Sequence, residues 1–202
     1  MRSLSEIETA VKRASRAVGF SWGISEDVGK SIRLLELFGL SGIKNLNQYY
    51  KEREIKKFES LNSIREKNIA QEAFCPITLG VSFLDQIKVI ENFERIHFKK
   101  IAYPVIFLSF LSRASEISGK KIYVKFDQYE ILLNLNVNIF SNGFSKDFSN
   151  HANNVEIKFL DNQDNFTDTE WNSLYKLAEN TFVEESDSLK QSGAGAGLTD
   201  ND

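Results

Sequence analysis

An α+β fold is what this 202-residue chain predicts, and three observations carry it. Apolar residues recur at helical spacing through the first third, they alternate in period two between residues 122 and 159, and a capping signal restarts the helical period at Thr167. The expected arrangement is an N-terminal helical hairpin or small bundle, then a mainly antiparallel sheet packed by a buried helix. A C-terminal helix and a glycine-rich tail follow. A chain of this length buries about 70% of its unfolded surface as one domain and needs no covalent staples.

The elements follow in order. Ser3 or Ser5, with Glu6 or Glu8 three residues on, caps a first helix whose face is Ile7, Ala10, Val11, Ala14 and Val18 and whose stop is Gly19. Ser25, followed by Glu26 and Asp27, starts a second that turns Val28, Ile32, Leu35 and Phe38 one way and ends at Gly39. The short loop makes the two antiparallel, with Trp22 as an apolar corner and Gly23 as the point of close approach. From Ser41 to about Ala73 the pattern reads as one or two helices, with the charge cluster 51–57 as a solvated face. Cys75-Pro76 then breaks the period and hands over to something else, so residue 75 is where the composition offers a subdivision. Residues 1–74 would be helical, residues 75–188 would contain the sheet, and residues 189–202 would form the tail. The stretch Ile87 to Lys100 has room for one or two strands.

Between Pro104 and Gly119 lies a helix that is apolar nearly all round in its first half, as a helix buried against a sheet must be. Ile122-Val124-Phe126, Ile131 to Ile139 and Val155-Ile157-Phe159 alternate as half-buried strands. Thr167-Asp168-Thr169-Glu170 is a capping box for a last helix that buries Trp171, Leu174, Leu177 and Ala178.

Composition excludes several function classes. The lone Cys75 makes no internal disulfide, no Cys/His spacing suits a structural zinc, and the N-terminus lacks the apolar core of a signal peptide, so a cytoplasmic protein is expected. Ile101 to Leu111 is too short to span a bilayer, which leaves no membrane partner. Net charge is -3, and the last 42 residues hold ten of the acidic side chains against two basic ones. Such an end repels nucleic acid and suits docking on a basic surface of its own fold, of a neighbouring protomer or of another protein.

Several apparent motifs fail on spacing or on charge. Gly23 to Ser31 resembles a phosphate loop, yet it has five residues between its glycines rather than four and carries Glu26 and Asp27 where amides would cradle phosphate. The same acids oppose a helix-turn-helix reader of DNA. His97, His151 and Cys75 have no spacing that marks a nucleophilic pair or a metal site. Asn134, Asn136 and Asn138 fall on the outer face of a strand, where solvent is the simplest partner.

The ending is the most unusual segment. Gly193, Gly195 and Gly197 alternate with alanines before Leu198, Thr199, Asp200, Asn201 and Asp202. It is no dinucleotide fingerprint, since no helix follows it. Its amides suit an anion and its oxygens a hard cation or a basic side chain. Together with Leu4-Ser5-Glu6-Ile7-Glu8, Gly19-Phe20-Ser21-Trp22-Gly23, Cys75-Pro76, Gly80 and Asp85, this ending resembles an uncharacterised bacterial family of unknown function, and that resemblance implies no reaction and no catalytic residue.

The function expected from sequence is the binding of a small polar ligand, with the tail closing a cleft between the helical part and the sheet and with Arg13, Arg16 and Trp22 as the surface on which it would dock. Whether it is an enzyme, and with which cofactor, stays open. The alternative is an accessory subunit, in a homo-oligomer or with a protein partner, that docks through its acidic tail.

Overall fold

The computed structural model describes residues 2–142 and 148–181, and the chain divides into two compact units, Met1–Asn162 and Gln163–Asp202. The architecture is α+β. The tail residues Gly193 to Asp202 lie outside the described residues.

The first unit opens with α1 (Leu4–Ala17), whose cap Ser3 accepts from the Glu6 amide, and α2 (Trp22–Leu37), capped by Ser21 on the Ile24 amide. The helix expected from Ser25 thus begins earlier, because Ser21 does the capping, and Ser25 lies buried inside it. Trp22 is no buried corner either: it is 58% exposed, with the Lys12 and Arg16 cations over its ring at 5.9 and 5.5 Å. Close approach belongs to Gly29 rather than Gly23, since a Cβ there would stand 2.9 Å from the Glu8 carbonyl oxygen. The antiparallel hairpin is joined by α3 (Gly42–Ile55), tied to α1 by a 2.6 Å hydroxyl contact of Tyr50 with Ser15.

Helix α3 stops where the sequence expects it to run on, because Lys56 turns extended and the chain goes to the sheet edge. There β1 (Lys67–Asn68) pairs parallel with β2 (Ile96–Ala102), while Phe74 bridges both Glu59 and Ile101. Cys75-Pro76 starts an element instead of ending one: α4 (Pro76–Asp85) takes Pro76 in its first turn, where a missing N–H costs nothing. Residue 75 is therefore a helix cap inside the first unit. The short α5 (Ile87–Ile90) leads into β2.

Among the described residues the sheet has six strands in the order β1-β2-β6-β3-β4-β5, antiparallel apart from the first pair, with β3 (Lys121–Phe126), β4 (Tyr129–Asn134), β5 (Asn138–Ser141) and β6 (His151–Leu160). Register places Ile96, Ile157, Val124 and Ile131 in one row across four strands and Phe98, Val155 and Phe126 in the next. These rows face α6 (Pro104–Ser118), whose Phe107 ring meets Phe98 edge-on at 6.0 Å. On the opposite face Glu156, Lys125 and Glu130 stand side by side with alternating sign, as cross-strand pairing favours, with His97 next to Glu156 at the end of the row.

The strand expected over Ile131 to Ile139 is instead a hairpin. Leu135 and Asn136 turn at φ 49° and 59°, and Asn136 accepts from Ser112 and donates to Glu116, so it ties the turn to α6 rather than facing solvent. Arg113 of α6 also pairs with Asp27 of α2 at 2.7 Å. In the second unit α7 (Asp168–Glu179) has the expected capping box between Thr167 and Glu170. Its Trp171, Leu174 and Leu177 are exposed, contrary to expectation, since the described residues of that unit include no second element to cover them. No helix among the described residues is long and apolar enough to cross a membrane.

Candidate functional site

One corner of the first unit gathers chemistry that the sequence scatters widely. Along α3, Tyr49, Glu52 and Arg53 fall at helical spacing on one stripe, with Lys56 just past its end. The Phe74 bridge sets Cys75 beside that stripe as the cap of α4. Tyr103 follows β2 as the cap of α6, and His151 pairs with Ala102 at the start of β6. Two helix N-termini, a strand end and a strand start therefore converge.

Tyr103 stands in the left-handed region at φ 45°, ψ 61°, directly before Pro104, a conformation that bulky residues avoid and that proline disfavours in its predecessor. Its amide donates to the Asn150 carbonyl at 2.6 Å and its hydroxyl to Glu52 Oε2 at 2.8 Å, which hold it there. Strain of this kind persists only where surrounding contacts over-determine it.

Glu52 is the hub. Its side chain is only 14% exposed, and its other oxygen accepts from Lys56 Nζ at 2.8 Å and faces His151 Nε2 at 3.5 Å. Burial pushes this carboxyl up, but the hydrogen bonds from Lys56 and Tyr103 and the charges of His151 and Lys56 outweigh it and hold the group below its ordinary value. Burial, then the neighbouring Glu52, push the Tyr103 phenol up, so it stays a neutral donor. Beside them Tyr49 is fully buried, 2.9 Å from Cys75 Sγ, and burial followed by the thiol's proximity raises its phenol as well. Burial takes Tyr50 up to about 12.

The depressed carboxyl of Glu52 has a consequence for stability. A group whose folded value is lowered contributes stability above its unfolded value and loses it as pH falls through the folded one. Glu52→Gln is expected to destabilise the fold at neutral pH, with the difference from wild type shrinking below about pH 4.5; urea titrations across pH measure it. A deficit that stays constant down to about pH 3 would contradict the ionised hub.

Two hollows open on this corner. One, of about 330 Å³, is lined by Phe20, Tyr49, Arg53, Ser60, Cys75 and Thr78, and the other, of about 240 Å³, by Glu72, Ala73, Lys100, His151, Ala152 and Asn153. They meet over Lys56, Lys57 and Phe58, which line both. Arg53 lies over the Phe20 ring at 4.4 Å and donates to the Val18 carbonyl. Larger hollows exist elsewhere among the described residues, but one of about 470 Å³ between Phe38, Val105 and Ile139 has no ionisable residue in its lining.

Of the residues singled out in the sequence, Arg16 and Trp22 come together, and Arg13 is exposed on the same helix; all three lie away from the Glu52 hub's lining. Gly193, Gly195, Gly197, Thr199, Asp200, Asn201 and Asp202 are outside the described residues. Cys75 and His151 reach the same corner but bind different neighbours, Tyr49 and Glu52, while His97 sits on the far face of the sheet beside Glu156. Glu52, Lys56, Lys57 and Tyr103 escape a reading of sequence. The charge cluster 51–57 looks like any solvated helix face, and only the placement of Tyr103 and His151 by β2 and β6 turns it inward. Among the described residues no three His, Cys, Asp or Glu side chains are grouped to hold a metal ion.

Residues 2–82 match the model of a family described as protein of unknown function (DUF3726). That stretch carries the α3 stripe and Cys75, whereas Tyr103 and His151 lie beyond it. No curated protein and no solved structure matches the chain.

Proposed function

We propose that this protein binds a small anionic molecule in the paired hollows over Lys56 and Lys57. The observation that carries the reading is the charge of the lining: Arg53, Lys56, Lys57 and Lys100 border the hollows, against Glu72 and the recessed Glu52. Lys57 has no hydrogen-bond or ion-pair partner among the described residues, and Lys100 spends its ammonium on a backbone carbonyl, that of Gln71, at 2.8 Å. Cations held without carboxylates in a concave surface attract anions, and low-dielectric walls focus that field.

The hydroxyls of Ser60 and Thr78, 3.3 Å apart at the start of α4, add neutral donors. In that first turn the amide of Thr78, which lines the first hollow, has only the weak acceptor Cys75 Sγ at 3.4 Å. A cysteine caps a helix less well than the usual Ser, Thr, Asp or Asn, which leaves the positive end of α4 available. The aromatic floor of Tyr49 and Phe58, 5.3 Å apart, is suited to an organic body attached to the anionic group.

Titration of the protein with inorganic phosphate, followed by amide chemical shifts, tests this. Saturable shifts confined to residues 53–60, 75–78, 100 and 151 are expected, and Lys57→Glu should weaken binding by about tenfold or more. The same charge change at Lys30, on the exposed side of α2, should leave it unaltered. Linear, unsaturable shifts, or equal loss from both variants, would refute the site.

A further inference from the structure

We infer that the site takes a dianionic group of the phosphate-monoester class, and that the anion arrives together with a proton carried by His151. This rests on the anion-binding reading above and deepens it. Two observations lead there, the charge surplus of the lining and the position of the imidazole within it.

The surplus comes first. Four permanent cations line the hollows, Arg53, Lys56, Lys57 and Lys100. One is matched by Glu52, through Lys56 at 2.8 Å, and a second is opposed by Glu72 in the same lining. Two positive charges remain before the imidazole is counted, and three when His151 carries a proton, so a dianion neutralises more of the lining than a monocarboxylate does in either case. Glu59, though its backbone bridges Phe74, lines neither hollow.

The imidazole comes second. His151 lines the hollow and is 41% exposed there, with Nε2 3.5 Å from Glu52 Oε1 and its ring 6.1 Å from that of Tyr103. The charged groups around it are Glu52 and Lys56 from α3, Lys57 just beyond, Glu72, and Lys100 from β2, with the neutral Tyr103 phenol from the start of α6. In the empty site one adjacent carboxylate and three lysines border the imidazole. An arriving dianion offsets the lysines' charge without touching Glu52, and that tips His151 toward the charged form. Linkage makes the effect mutual: a proton on His151 strengthens anion binding by the factor by which the anion strengthens proton binding. His151 then adds an N–H donor where the neutral ring offers a choice of donor or acceptor.

Calorimetry with sulfate measures this directly, because sulfate is dianionic and does not itself titrate near neutrality. Binding to the full chain at one pH, in two buffers of unlike ionisation enthalpy, should show a buffer-dependent enthalpy that corresponds to proton uptake. Affinity should fall as pH rises, by at most about tenfold per pH unit for one coupled proton. His151→Gln should keep weaker sulfate binding with no buffer dependence. His151→Lys, permanently charged, should restore affinity and remain independent of pH, and His97→Gln should behave as wild type.

Each outcome decides something. Sulfate binding without buffer dependence, or a dependence that survives His151→Gln, overturns the proton coupling while leaving the anion site in place. Acetate bound as tightly as sulfate overturns the dianion class. Failure of both sulfate and acetate to bind overturns the anion-binding reading itself.

Discussion

Replacing Phe107 by alanine is expected to cost about 3–5 kcal/mol, the range for deleting a fully buried aromatic side chain whose site cannot collapse. Phe107 has no exposed surface, and its ring meets Phe83 of α4 edge-on at 5.8 Å and Phe98 of β2 edge-on at 6.0 Å. Phe83 in turn stacks on Phe159 of β6 at 6.1 Å. The residue therefore joins a second helix to two central strands, and no single neighbour can move into its place without uncoupling from another. Edge-to-face pairs add to the transfer free energy, which places the expected loss above that of a leucine truncation. Urea or guanidinium unfolding, with an unchanged denaturant slope, measures the difference. A loss below about 1 kcal/mol would mean that α6 does not organise this core.

The reasons why α6 was legible in the sequence and the Glu52 corner was not are different in kind. Helix α6 announces itself locally: Pro104 opens it, Gly119 closes it, and a run of apolar residues all round can only be buried. The strands β3 and β6 likewise show period two, because each buries one face and leaves the other to the charge ladder. The sequence is ambiguous where one residue type serves two local purposes. Pro76 reads as a breaker or as a first-turn residue, and only the bridge from Phe74 to Ile101 shows which. Phe58 and Leu61 keep a helical interval after α3, yet they pack against the core from an irregular segment.

The corner itself has no local signature. Tyr49, Glu52 and Arg53 share a stripe that a solvated helix would show equally, and Tyr103 and His151 become neighbours only because Ala102 pairs with His151 across two strands. The strained backbone of Tyr103 is invisible in a Tyr-Pro dipeptide, which by itself favours an extended conformation. Its distortion is a tertiary fact, imposed by Asn150 on one side and Glu52 on the other.

Gly80→Ala should destabilise the protein, although a glycine inside a helix is ordinarily improved by alanine by roughly 1 kcal/mol. A Cβ at position 80 would overlap Cγ and Cδ2 of Phe110 and stand 2.8 Å from Cδ1. Those atoms belong to the root and edges of the ring, not to the tip of a flexible chain, and Phe110 is fully buried with the Arg113 guanidinium 5.9 Å from its centroid. Relief requires α4 and α6 to separate. Separation would disturb Phe83 against Phe107 and draw on Arg113, which pairs with Asp27 of α2. Overpacking of this kind costs about 1–3 kcal/mol, which exceeds the propensity gain, so the net sign is destabilising. A larger β-branched residue, as in Gly80→Val, should cost more than alanine does. The decisive measurement is a double-mutant cycle with Phe110→Leu: the smaller side chain makes room for the new methyl, so the pair should be less destabilised than the sum of the single changes, by about 1 kcal/mol or more. Strict additivity would place the cause of any loss outside the contact between these two helices.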